Sequence, residues 1–225
     1  NRENLPDGYI EDTLAALPER KRRRFLEGEW LDDPEGALWK RSMIDEHRHT
    51  GKPPALARIV VGVDPAVTGS ETSDETGIVV VGKDAAGHLY VLGDYSVRGT
   101  PLDWARKVAW AVDKHSADRV VGEVNNGGDL VEVNLRTVSK NLPFKKVSAS
   151  RGKYIRAEPV AALYEKGEVH HVGAFPELED QMCEWLPGDE SPDRMDALVW
   201  AITELASGPG HVTIPKEWLS FGGRA

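Results

Sequence analysis

Four carboxylates stand where acids are costly to place, and their positions suggest one chemistry. Asp64 follows the apolar run Val61-Gly62-Val63 and is itself followed by Pro65, which stops a strand and leaves the acid at its tip. Glu123 lies near the end of a second apolar run, Val120-Val121-Gly122-Glu123-Val124. A carboxylate inside an apolar strand is expensive to bury unless it is paired or metal-bound. Asp193 and Asp196 are three residues apart in a helical pattern and so share a face. If the two strands are parallel neighbours, their tips lie roughly 5 Å apart, within reach of a shared divalent ion. Phosphodiester hydrolysis needs an activated water and a stabilised leaving oxygen, and two hard cations about 3.5–4 Å apart can provide both. Such cations prefer oxygen ligands, so three or four carboxylates without a histidine set suit Mg²⁺ or Mn²⁺. Each acid also has a structural alternative: Asp64 could simply end a strand, Glu123 could be salt-bridged, Asp193 could favour the helix dipole, and Asp196 could likewise be structural.

The elements that must position these acids are legible as patterns. Arg58–Val63 and Gly77–Gly82 are β-branched runs, and Asp84-Ala85-Ala86-Gly87 is a turn leading to a third strand over His88–Val97. These three form an antiparallel meander. Leu102, Ala105, Ala109 and Val112 repeat at helical spacing after Thr100-Pro101. Asp118–Val124 is a fourth strand, about 128–140 a helix, Phe144–Ala149 a fifth strand, and about 156–166 another helix. Pro176–Trp185 is expected to be helical. A last helix opens at Ser191-Pro192, with Ser191 as N-cap and Pro192 in the first turn. This order describes an α/β fold, a mixed central sheet flanked by helices. Three zones are expected: residues 1–57, a polar, proline-punctuated segment; 58–206, the α/β domain; and 207–225, a glycine-rich tail. Trp30 and Trp39 read as docking residues of the first zone, and Gly51-Lys52-Pro53-Pro54 as a linker.

Bulk properties narrow the partners. The net charge is −9, which on its own argues against a nucleic-acid partner. Local distribution qualifies this: Lys145, Lys146, Arg151, Lys153 and Arg156 fall in one stretch without an acid. The chain has one cysteine, so neither an internal disulfide nor a cysteine-rich zinc site is expected. No long apolar run suggests a membrane span. No glycine-rich phosphate loop is present: Gly51-Lys52, Gly82-Lys83 and Gly152-Lys153 are followed by Pro53, Asp84 and Tyr154. ATP hydrolysis by this chain is therefore not expected.

Beyond these patterns, the sequence resembles the C-terminal nuclease domain of the large terminase subunit of tailed bacteriophages, from about Arg58 to Leu205. Six blocks in order carry the resemblance: Val61–Ala66, Ser73–Ile78, Gly122-Glu123, Gly152–Val160, Tyr164–Gly173 and Ser191–Leu198. It implies a ribonuclease-H-like fold and a metal-dependent endonuclease cutting double-stranded concatemeric DNA during packaging. By position, Asp64, Glu123 and Asp196 would be metal ligands, and Asp193 a further ligand or a supporting residue. Two ions, Mg²⁺ or Mn²⁺, would serve catalysis. Asp74 matches an acidic position of the family that could equally be structural. Lys153 would stand near the scissile phosphate, and Lys145, Lys146, Arg151 and Arg156 along the DNA backbone. Tyr9–Trp30 looks like the segment joining a packaging ATPase to the nuclease, and the chain reads as an excised C-terminal part of a longer protein. The implied partners are double-stranded DNA, that ATPase domain, the small terminase subunit and the portal or procapsid, in the cytoplasm of an infected bacterium. A Holliday-junction resolvase or transposase would share the acids, an actin-like nucleotide-binding protein would need a duplicated domain, and a mainly docking role in the motor is a further alternative.

Overall fold

The computed structural model describes residues 33–65, 75–123, 129–148, 152–189 and 192–207. The chain divides into two compact units, Asn1–Glu35 and Gly36–Ala225. The second contains, in order, α1 (Arg41–Asp45), β1 (Leu56–Asp64), β2 (Gly77–Asp84), β3 (Leu89–Asp94), α2 (Pro101–His115), β4 (Arg119–Glu123), α3 (Asp129–Val138), β5 (Phe144–Val147), α4 (Lys153–Glu165), β6 (Val169–His171), α5 (Pro176–Glu184) and α6 (Asp193–Ala206).

The six strands form one mixed sheet in the order β5-β4-β1-β2-β3-β6. β1, β2 and β3 pair antiparallel as the expected meander. β4 joins β1 in parallel, and β5 joins β4 in parallel. Central strands are buried on both faces, which is why they read as nearly continuous Val and Ile. Alternation then sorts them between two cores. Val60, Val79, Val81 and Val121 face α4, α5 and α6. Val61, Val63, Ile78, Val80 and Val120 face α2 and α3.

The structure departs from the sequence reading in four places. β6 was not expected: it is three residues long and pairs with β3 only through Leu89–Val91. α4 begins at Lys153 rather than near 156, and the N-cap position of α6 is Pro192, with Ser191 outside the described residues. The compact unit also takes in residues 36–57, read as part of a linking segment. Trp39 and Ile44 are fully buried there, with Trp39 edge-on to Tyr164. Arg41 and Arg48 reach buried Glu179 on α5 at 3.2 and 2.6 Å. Glu179 also meets His171 at 2.9 Å, and His171 meets the Tyr164 hydroxyl at 2.8 Å. Burial pushes the Glu179 carboxyl up, but hydrogen bonds from His171, Arg48 and the Phe175 amide outweigh it and hold the group well below its usual range. The rest of the first zone, including Tyr9–Trp30, lies outside the described residues, as does 208–225.

One contact sets the geometry that matters for function. α6 lies directly on β1 and β2 because Gly62 and Gly77 have no side chains. A methyl group at Gly62 would collide with the carbonyl of Ala197, and one at Gly77 with the carbonyl of Asp193. The far end of α6 is tied down by Glu204, which holds Arg58 of β1 at 2.9 Å, Arg119 of β4 at 2.8 Å and Lys145 of β5 at 2.7 Å. Gly62→Ala is expected to lower stability by about 1–3 kcal/mol, as overpacking does, measured by urea unfolding. Stability equal to that of the unsubstituted protein would show that α6 is not seated through this contact.

Candidate active site

β1 and β4 run parallel with Val63 beside Gly122, so the next residues, Asp64 and Glu123, come side by side at the same edge of the sheet. Asp64 is paired across to Gly77 on β2, and Gly77 carries the backbone of Asp193. The first turn of α6 is thus placed over the tips of β1 and β4. It brings Asp193, and one turn on Asp196, to that edge; Asp196 is buried. Asp64, Glu123, Asp193 and Asp196 therefore come together, as the sequence suggested.

The electrostatics record the crowding. Burial, and then the charges of Asp196, Asp193 and Glu123, hold the Asp64 carboxyl well above the usual carboxylate range, with Lys153 opposing them. Two cations from the first turn of α4 partly offset this charge. The Lys153 ammonium is 3.1 Å from Asp196. The Arg156 guanidinium is 3.5 Å from Glu123 and 4.0 Å from Asp196. Among the described residues, no three Asp, Glu, His or Cys side chains form a ready-made metal cage. The donor set nevertheless suits a hard divalent cation: it offers only carboxylate oxygens, and the charges of Asp196, Asp193 and Glu123 crowd the fourth, Asp64.

The basic stretch does not form one surface. Lys145 and Lys146 alternate on edge strand β5, Lys145 on Glu204 and Lys146 on Glu132 of α3 at 2.9 Å. Lys153 and Arg156 instead enter the acidic centre. Arg151 and Asp74 lie outside the described residues. Three contributors were missed by sequence reasoning. The Trp200 indole donates to Glu123 at 3.0 Å. Arg194 grips Glu75 through two hydrogen bonds of 2.7 Å and also pairs with Asp94. Gln181 accepts from the Arg194 amide at 3.2 Å. These bonds fix the start of α6 against the strand ends. Only the position of Trp200, one turn after Asp196, was a signal the sequence could have offered.

A mixed sheet with carboxylates gathered at the ends of its first and fourth strands, beneath a closing helix, is a ribonuclease-H-like architecture. The chain belongs to the family described as the terminase RNase H-like domain, which matches residues 61–205. Solved structures of similar fold include the large terminase nuclease from thermophilic phage G20c, at 14% identity and a TM-score of 0.54, covering 77% of this chain and 99% of that one. The same nuclease with bound magnesium matches at 14% identity and a TM-score of 0.55, covering 76% and 98%. The large terminase of bacteriophage HK97 matches at 13% identity and a TM-score of 0.59, covering 75% of this chain but 43% of that one. No curated protein sequence matches the chain.

The raised proton affinity of Asp64 has a consequence for stability. Folded Asp64 holds its proton more tightly than unfolded Asp64, so stability falls as pH rises from the unfolded value through the folded one. Without divalent ions, Asp64→Asn is expected to raise the thermal midpoint at about pH 7, and to give no gain near pH 3, where the acid is protonated in both states. A lower midpoint at neutral pH would contradict the placement of Asp64 in unrelieved negative charge.

Proposed function

We propose that this chain is the nuclease part of a large terminase and cuts double-stranded concatemeric viral DNA during packaging. The observation that carries the reading is the convergence of Asp64, Glu123, Asp193 and Asp196 at one sheet edge, with Asp64 crowded by the charges of the other three. Asp64, Glu123 and Asp196, assisted by Asp193, would hold the two Mg²⁺ or Mn²⁺ ions. When bound, the ions would supply an activated water and stabilise the departing 3′ oxygen. Trp200 keeps Glu123 in place through its indole N–H, and Arg194 holds the first turn of α6 against the strands. Lys153, whose side chain is half exposed, would turn from Asp196 toward the scissile phosphate.

Lys145, Lys146 and Arg151 are assigned to the DNA backbone on charge, while Arg156, expected there from sequence, is buried against Glu123 and Asp196. No base-reading element is apparent among the described residues, and little sequence specificity is expected. The working context would be the cytoplasm of an infected bacterium. The partners would be a packaging ATPase domain of the same full-length protein, the small terminase subunit and the portal or procapsid. No helix among the described residues is long and apolar enough to cross a membrane.

Supercoiled plasmid incubated with Mg²⁺ or Mn²⁺ should be nicked and linearised, with EDTA or Asp64→Asn abolishing both. Full activity in Asp64→Asn would sink the assignment. No cutting by the unsubstituted chain with either metal would favour the docking role instead. The triple variant Lys145→Ala, Lys146→Ala and Arg151→Ala should weaken DNA binding and flatten its dependence on salt. An unchanged slope would remove that segment from the binding surface.

A further inference from the structure

Arg156 is the least expected residue of the acidic centre. Its side chain is about nine-tenths buried, at 10% exposure. Its Nε, Nη1 and Nη2 atoms find no hydrogen-bond partner among the described residues. A guanidinium carries five donors and cannot give up its charge, so burial without hydrogen bonds is among the costlier arrangements for a side chain. It also sits at the wrong end of its helix. α4 opens with Lys153 and Arg156 and has no acid in its first turn, although the positive end of the helix dipole favours acids there. A departure from local preference on this scale points to a site where function sets the residue.

The surroundings say what that function is. The guanidinium carbon lies 4.6 Å from the centroid of the Trp200 ring. The same Trp200 donates to Glu123, and the guanidinium faces Glu123 and Asp196 at 3.5 and 4.0 Å. These distances supply charge without directed hydrogen bonds. Arg156 is therefore a fixed positive charge, stacked on an indole and aimed at two of the four carboxylates. A backbone-gripping arginine would instead be solvent-exposed.

We propose that Arg156 is the resident counter-cation of the acidic centre: it holds Glu123 and Asp196 together in the ion-free protein and, by its charge, competes with the divalent ion those carboxylates bind. This rests on the metal-dependent reading above. It assigns Arg156 a positioning and affinity-setting role in place of the DNA contact inferred from sequence. A cation of this kind keeps the carboxylates from repelling one another before loading. The same charge weakens ion binding, so the ion remains exchangeable.

The test is binding of Mn²⁺ without DNA, followed by calorimetry, in the unsubstituted protein, Arg156→Gln and Arg156→Lys. Removing one positive charge within several ångströms of a divalent ion, in a surface-like dielectric, should tighten Mn²⁺ binding roughly tenfold. Arg156→Lys keeps the charge and should stay near the original affinity. In the ion-free protein Arg156→Gln should lower the thermal midpoint, and adding Glu123→Gln should recover part of that loss. If Arg156→Gln alone does not fold, the double variant carries the test, because removing the facing acid should restore folding. Equal or weaker Mn²⁺ binding by Arg156→Gln beside a binding unsubstituted protein would overturn the role of Arg156 and leave the nuclease reading standing. Absence of Mn²⁺ binding in the unsubstituted protein would overturn both. Additive effects of the two substitutions, or no recovery in the double variant, would overturn the counter-cation role.

Discussion

Backbone-to-backbone seating of α6 on Gly62 and Gly77 is the contact on which the acidic centre depends. It brings a helix closer to the sheet than any side chain at those positions would allow. Because the contact falls at Ala197 and Asp193, it sets the height and rotation of the turn carrying Asp193 and Asp196. Glu204, at the other end, pins the same helix to β1, β4 and β5 through three cations. The helix is thus held at both ends, and its acidic turn cannot drift from the strand tips without breaking one anchor or the other.

The result is a site in conflict with stability. Four acids share a partly buried edge, and burial raises the proton affinity of Asp64 before its neighbours add to it. Two cations on α4 offset part of this charge, against the preference of their own helix dipole. Concentrated charge of one sign, held by rigid elements and only partly compensated, is what a divalent ion needs in order to bind. The network around Glu179 differs in kind. His171, Arg41 and Arg48 satisfy that carboxylate where it stands, so it fastens residues 36–52 to the core instead of recruiting a ligand.

Much of this was legible in the sequence, for physical reasons. The β-branched runs, Pro65 after Asp64, and the spacing of Asp193 and Asp196 are local signals, and local signals placed the four acids at strand ends and on one helical turn. β6 escaped because three residues, two of them histidines, carry no periodicity. Residues 36–52 were grouped with the linking segment although Trp39 read as a docking residue, because their polarity hid the second buried anchor, Ile44. Arg194 escaped because its partners, Glu75 and Asp94, are distant in sequence. Arg156 was noticed for its charge, but only the fold reveals that the charge points inward. Lys145 and Lys146 were grouped with it by proximity, and strand alternation sends them to opposite faces.

The most direct test of the central claim is anomalous diffraction from crystals of the chain soaked in Mn²⁺. The expected result is manganese density bounded by the carboxylates of Asp64, Glu123 and Asp196 at the edge beneath the first turn of α6. Manganese bound elsewhere, with those three carboxylates making no contact to it, would contradict the account.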